Sequence, residues 1–351
     1  LKCNTFFDCF TKKIVIKSSA EGFTPCKEVF MHTITVTPDD NIQQILDGLS
    51  SPATIYLKAG VYEQKIKISR PGVKLVGENR DSTIVRWGDY ARKTHADGLQ
   101  YTTFRTYTVC VTGDGVRLEN FTIENTNTDP VKVGQCVALS VNAKSFSAAN
   151  MRLLSTQDTL FMAPFPDDLV VRYAGITDEG YYDGFMPRDE LFMEGSSLCY
   201  FNNCEICGTV DFIFGCAEAY FEKCRLVSLG DERKACYIAA PAHSLKQECG
   251  FCFYDCDLVC GGAAEKSVYL ARPWRDFGKC AFINCRADGH IAPALFDRWN
   301  DTYRYKTARF GYYGLECAEE PAPVDWCKKL DRDEAEDYIN MCARTRGKFG
   351  F

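Results

Sequence analysis

The chain is poor in histidine, with 4 in 351 residues, and it has none of the local signatures that would put those four to work. There is no G-x-S-x-G and no H-E-x-x-H, so a serine–histidine hydrolase or a helical zinc peptidase has no footing on His32, His95, His243 and His290. Also missing is any stretch approaching eighteen consecutive apolar residues, so no membrane-spanning helix is expected. Basic excess is missing too: 41 Lys and Arg against 47 Asp and Glu give a net charge of −6, which argues against nucleic acid as a partner. No amphipathic helix between the strand-like runs is long enough for a βαβ crossover, which removes the doubly wound folds.

The cysteines are abundant. Twenty of them, an even count that favours disulfides, with 46% hydrophobic and 25% charged residues, describe a soluble, folded chain from an oxidising compartment. A chain opening on Leu1, without the charged-then-apolar pattern of a signal peptide in its first ten residues, reads as a processed one. At this length an ordinary core would divide into two domains, whereas a solenoid lengthens its core instead.

Internal repetition favours the solenoid. A hexad made of an aromatic or aliphatic residue, two variable positions, Cys, a polar position and an apolar residue occurs at Phe201–Ile206, Phe221–Leu226, Phe253–Leu258 and Phe282–Ala287, with starts 20, 32 and 29 residues apart. Looser copies precede these at Leu118–Ile123 and Phe146–Met151. Strand-only repeats of this period predict an all-β, right-handed parallel β-helix, since an antiparallel sandwich would show hairpin turns and alternation instead of one hexad in register. Stacked at roughly 4.8 Å, the repeats would line up Cys204, Cys224, Cys256 and Cys285 inside the coil as small apolar packing groups. Cys204-x-x-Cys207 and Cys249-x-x-Cys252 have metal spacing but lie within or beside repeat strands, so zinc is not expected.

Pro38, Asp39 and Asp40 ahead of Ile42, Ile45, Leu46 and Leu49 predict a capped helix closing the N-terminal end. Asp331 to Arg344, with Ala335, Tyr338, Ile339 and Cys342 on one stripe, predicts a second helix along the outside. The expected organisation is one domain over residues 1–351, with a repeat core over 35–315 and a C-terminal extension over 316–351.

Chemistry falls to carboxylates in apolar company. Gln157-Asp158-Thr159-Leu160-Phe161 and Gly208-Thr209-Val210-Asp211-Phe212-Ile213-Phe214-Gly215 each place an aspartate where burial would raise its pKa unless a cation holds the anion. Arg272, in Leu270-Ala271-Arg272-Pro273-Trp274, is a suitable cation, able to grip a carboxylate with two prongs beside a flat indole suited to a sugar ring. Each element alone has a bland reading as a turn, an ion pair or a strand end.

Together with Gln135-Cys136-Val137-Ala138-Leu139 and Gly60-Val61-Tyr62-Glu63, these segments resemble, in type, order and spacing, the pectin methylesterases of plants, fungi and bacteria over residues 35–315. The resemblance implies that Asp211 is the nucleophile on a C6 methyl ester, oriented by Arg272, and that Asp158 is the general acid and then the base. It implies that Gln157 and Gln135 donate to the oxyanion, and that Trp274, Phe161, Phe214, Val210 and Thr108 bind substrate. It further implies pectin as the partner, no cofactor or metal, a secreted enzyme and a monomer.

Three departures stand out. Ala271 replaces the glycine of LGRPW and would be strained if that backbone needed positive φ. Leu198-Cys199-Tyr200-Phe201 replaces R-Q-F-Y, and a substrate-side contact would go with it. The interval between the aspartates is 53 positions, and residues 163–197 carry Asp167, Asp168, Asp178, Glu179, Asp183, Asp189, Glu190 and Glu194 against Arg172 and Arg188. The excursion is either a solvated loop or an acidic wall that disfavours anionic product. A pectate lyase or polygalacturonase on the same fold, and a non-catalytic wall-binding relative, remain as competing readings.

Overall fold

The hexad turns one corner of a coil. In the computed structural model, which describes residues 32–96, 98–173, 195–233 and 235–351, its first residues lie in an eleven-stranded sheet and its last in a nine-stranded sheet. A seven-stranded sheet completes each turn, and away from the ends of the coil neighbours within every sheet are three strands apart in sequence and paired in parallel. That is a parallel β-helix.

The corner itself explains the hexad's third position. Asn120, Asn203, Lys223, Asp255 and Asn284 all adopt left-handed backbone with φ between 51° and 63°. Asn150 does the same at 50°: the register pairs Ala148 with Phe201 and shifts that copy to Ala148–Leu153, two residues later than expected. Gly314 at 58° marks a seventh copy, Tyr312–Cys317. Asn, Asp and Gly tolerate that conformation better than other residues, so a position that varies in sequence is fixed in geometry. Asn150 donates to the Asn120 side chain at 2.7 Å, tying consecutive corners together.

Inside, the first hexad position builds a ring ladder: Phe201–Phe221, Phe221–Phe253 and Phe253–Phe282 stack with centroids 4.8, 4.8 and 4.4 Å apart. The expected thiol ladder is present and fully buried. Each thiol donates to a carbonyl of the preceding turn: Cys224 to Phe201, Cys256 to Phe221 and Cys285 to Phe253, at 3.5, 3.2 and 3.4 Å. A side chain that is apolar enough for the core yet still a weak donor accounts for cysteine here. None of the 17 described cysteines is in a disulfide, contrary to what an even count suggested; Cys3, Cys9 and Cys26 lie outside the described residues.

Both helices form, with small corrections. The N-terminal one runs over Ile42–Asp47 and is capped by Asn41, whose side chain accepts from the Gln44 amide, and not by the acidic pair. Ile42 and Leu46 cover the first coil. The C-terminal helix, Arg332–Lys348, starts with a capping box between Asp331 and Glu334 and buries Ala335, Tyr338 and Cys342 against the outer face of the eleven-stranded sheet. Buried Glu222 on that face accepts from Tyr200 and Arg346, at 2.5 and 2.6 Å, and so anchors the helix. Leu198–Asn202 lies beneath this helix, so Leu198 and Tyr200 of the replacement expected to cost a substrate-side contact pack against the helix on that face. No helix among the described residues is long and apolar enough to cross a membrane.

His243 is structural. Its Nε2–H donates to the Ala217 carbonyl at 2.8 Å, its Nδ1 accepts from the Lys279 amide at 3.2 Å, and burial pushes its pKa down to about 3. The unfolded chain therefore binds a proton near pH 6.5 that the folded chain refuses until about 3, so stability falls as pH descends through that window. The slope is about 1.4 kcal/mol per pH unit for this one proton. Denaturant titrations should show the advantage of wild type over His243→Gln shrinking from pH 6.5 to pH 4; a constant difference would refute the assignment.

Candidate active site

The seven-stranded sheet carries the site because its strands stack the chemically unusual residues on neighbouring rungs, with one rung of small residues between the last two. Gln135 precedes the strand Leu139–Val141; Gln157 and Asp158 precede Leu160–Met162; Asp211 lies in Val210–Gly215; and Arg272 follows Val268–Ala271. The parallel register sets Leu160 opposite Ile213, which places Asp158 and Asp211 side by side on adjacent turns. Between Asp211 and Arg272 lies the rung Cys236–Pro241, whose Ala239 and Ala240 are small enough for the arginine to pass over.

Asp211 is aimed by an irregularity. Pairing to the next strand skips from Val210↔Tyr237 to Ile213↔Ala239, a bulge of one extra residue that leaves Phe212 and Ile213 in the interior and turns Asp211 outward. Asp211 and Asp158 both hold left-handed backbone, at φ 52° and 63°. Aspartate tolerates that conformation better than most residues. The glycines flanking the bulge permit it: a Cβ on Gly208 would lie 2.2 Å from Phe212, and one on Gly215 2.0 Å from the Met162 carbonyl.

Arg272 grips Asp211 with both prongs, Nε to Oδ1 at 2.8 Å and Nη2 to Oδ2 at 2.7 Å. Its guanidinium lies between the rings of Tyr237 and Trp299, 3.9 and 4.1 Å from their centroids, and Tyr237 is itself held by a 2.9 Å hydrogen bond to Asp297. Flat cation between flat rings is a geometry that lysine could not adopt. Ala271 is fully buried in the interior core with unexceptional φ, so the strain expected of it is not realised.

The two carboxyls are electrostatically unequal. Burial pushes Asp158 well above the usual carboxylate range, and the charge of Asp211 pushes it further. Burial also raises Asp211, but there the Arg272 ion pair works against it. One proton shared between them therefore rests on Asp158, leaving Asp211 anionic.

Both open into a cleft of about 280 Å³ lined by Gln135, Gln157, Phe214, Trp274 and Arg272 as expected, by Arg172 of the acidic excursion, and by Trp299, Phe104 and Arg275, which sequence reasoning did not single out. Three expected substrate contacts are not on its wall. Phe161 is fully buried beneath Phe104 and Phe165, with ring centroids 4.9 and 4.8 Å away, so it supports the floor. Thr108 is buried and donates to the Glu124 carbonyl, and Val210 is 5% exposed. Of the acidic excursion, Asp178, Glu179, Asp183, Asp189, Glu190, Glu194 and Arg188 lie outside the described residues. In its described part, the helix Asp167–Tyr173 sets Arg172 in the cleft, and Asp168 is clamped by Arg275 at 2.7 and 2.6 Å.

The profile of the pectinesterase family matches residues 31–165 and 182–339. The chain belongs to the pectinesterase family. It is 27% identical over 316 residues to pectinesterase QRT1 of Arabidopsis thaliana, an alignment spanning 87% of this chain and 73% of that protein. In fold it resembles the pectin methylesterase from carrot, with a TM-score of 0.72 at 21% identity over 91% of this chain and 96% of that one. It also resembles a pectin methylesterase solved in complex with a hexasaccharide, with a TM-score of 0.68 at 22% identity over 86% and 91% of the two chains. Membership of this family makes the chain an esterase, and the carrot and hexasaccharide-bound structures confirm the parallel β-helix.

Proposed function

We propose that the chain hydrolyses the C6 methyl esters of homogalacturonan, releasing methanol and leaving acidic pectin. The observation that carries this reading is the unequal dyad in the cleft: one aspartate clamped by Arg272 at 2.7–2.8 Å, the other buried beside it with its pKa raised. The Asp211 carboxylate attacks the ester carbonyl, and the carbonyl electrons move onto oxygen, where the Gln157 and Gln135 amides donate to the oxyanion. As the oxyanion collapses, the bond to methoxy oxygen breaks and Asp158 gives that oxygen its proton. Water then attacks the acyl carbon, Asp158 takes a proton from it, and the Asp211 carboxylate is expelled. Trp274 and Trp299 offer the flat apolar faces on which pyranose rings rest, and the buried Phe214 ring packs edge-on against Trp274.

Paired carboxylates need neither metal nor nucleotide for this chemistry. A plant cell-wall polymer as substrate puts the enzyme outside the cell, acting as a monomer on a chain laid along the cleft. The competing polymer-cleaving chemistries leave a different trace. Incubation with highly methylated pectin should liberate methanol while polymer length, followed by size exclusion, stays constant. Shortened chains, with or without unsaturated ends, would replace the esterase reading with a glycosidase or lyase one.

A further inference from the structure

One cation outside the dyad is wired into it. Arg233, in the loop after the strand Arg225–Ser228, is anchored by both oxygens of Asp231, 3.1 and 3.0 Å from its Nε. Its Nη2 reaches the Thr209 hydroxyl at 3.2 Å, and its Nη1 donates to Gln157 Oε1 at 2.6 Å. Gln157 in turn lies beside the Asp158 carboxyl and favours its anionic form. The order is therefore carboxylate, guanidinium, carboxamide, carboxyl, ending on the dyad.

We propose that Arg233 is a positioning residue for the ester hydrolysis: held by Asp231, it fixes the Gln157 carboxamide with its oxygen outward and its two N–H bonds toward Asp158 and the cleft. This rests on the hydrolysis proposed above. An unrestrained amide can exchange its oxygen and nitrogen by a half turn, but a guanidinium has no acceptor, so the turned amide would set N–H against N–H. The positive charge on the amide oxygen also polarises the carboxamide and strengthens its N–H groups as donors to a developing oxyanion. The arginine acts on the dyad's protonation as well, opposing the rise of both carboxyls. The other groups that bear on Asp158 are Asp211, Arg272 and the Cys136 thiol, with Arg172 and Arg275 on the same cleft wall.

The test compares methanol release by wild type, Arg233→Gln, Arg233→Lys and Asp231→Asn over a range of pH. Loss of an oxyanion donor costs about 10²–10³ in kcat, and loss of its orienter should cost less, about ten- to a hundred-fold in Arg233→Gln, with KM within about twofold of wild type. Both limbs of the kcat/KM profile should move to higher pH in Arg233→Gln, because a cation that held both carboxyls down is gone. Arg233→Lys, which keeps the charge and one donor, should hold the profile in place and recover part of kcat. Wild-type kcat in Arg233→Gln, or equal losses in the Gln and Lys variants with an unmoved profile, would overturn the positioning role. Should Arg233→Gln be unfolded by circular dichroism, Asp231→Asn decides, a lowered kcat supporting the role and an unchanged one overturning it. No methanol from wild type itself would overturn the hydrolysis reading and this proposal with it.

Discussion

Asp211→Asn should release methanol from methylated pectin at a rate lower than wild type by a factor on the order of 10⁴ or more, the scale seen when a nucleophile is removed from a site whose other parts remain. The amide fills the same space but cannot displace methoxide, and the Asp158 proton and the amide donors then have no intermediate to serve. The substitution should also weaken the fold. Arg272 is 15% exposed, and its counter-charge is Asp211. Removing one partner of a buried ion pair costs about 3–5 kcal/mol, and the neutral amide, which still accepts one hydrogen bond, should lie at the lower end. The rings of Tyr237 and Trp299 keep the guanidinium in place, so the loss should appear as a lower unfolding midpoint and not as a failure to fold.

Asp158→Asn should separate activity from stability in the opposite sense. Loss of a general acid and base costs about 10²–10⁴ in kcat. In the folded protein the Asp158 pKa is raised by burial and by its anionic neighbour, so the fold binds this proton more tightly than the unfolded chain does. The carboxyl therefore costs stability at neutral pH, a cost that fades as pH falls toward the unfolded-state value. An asparagine carries no such cost, and the variant should be more stable than wild type at pH 7 by about 1–2 kcal/mol, with the difference closing in acid. Urea unfolding at pH 7 and pH 4.5 checks both points, and a variant less stable than wild type at pH 7 would contradict the account of the dyad.

The architecture was legible because a coil repeats its constraints. The Phe and Cys positions of the hexad recur because each must fill the same interior site turn after turn, and the eye finds them without an alignment. Its third position was read as variable, yet it is the most constrained in backbone; Asn, Asp, Lys and Gly share a left-handed corner there and nothing else. Asp158, Asp211, Gln157 and Arg272 were visible through their segments, and the structure brings them together, Arg272 reaching Asp211 across one intervening rung.

The second layer was not legible. Arg233 meets Gln157 across 76 positions, and Tyr237 and Trp299 meet Arg272 from two different turns. The register could have found Tyr237, since it pairs with Val210 beside the nucleophile candidate. Phe161 was misplaced for the converse reason: alternation along its strand shows that it points outward, but not that Phe104 and Phe165 cover it.

The most direct measurement is methanol release from one preparation of highly methylated polygalacturonate by wild type, Asp211→Asn and Asp158→Asn at a single neutral pH, with folding of each verified in the same samples. Sustained release by wild type, with both variants folded and reduced by the factors given, is the expected result. Wild-type rates from either folded variant would contradict the assignment of the reaction to this pair of aspartates.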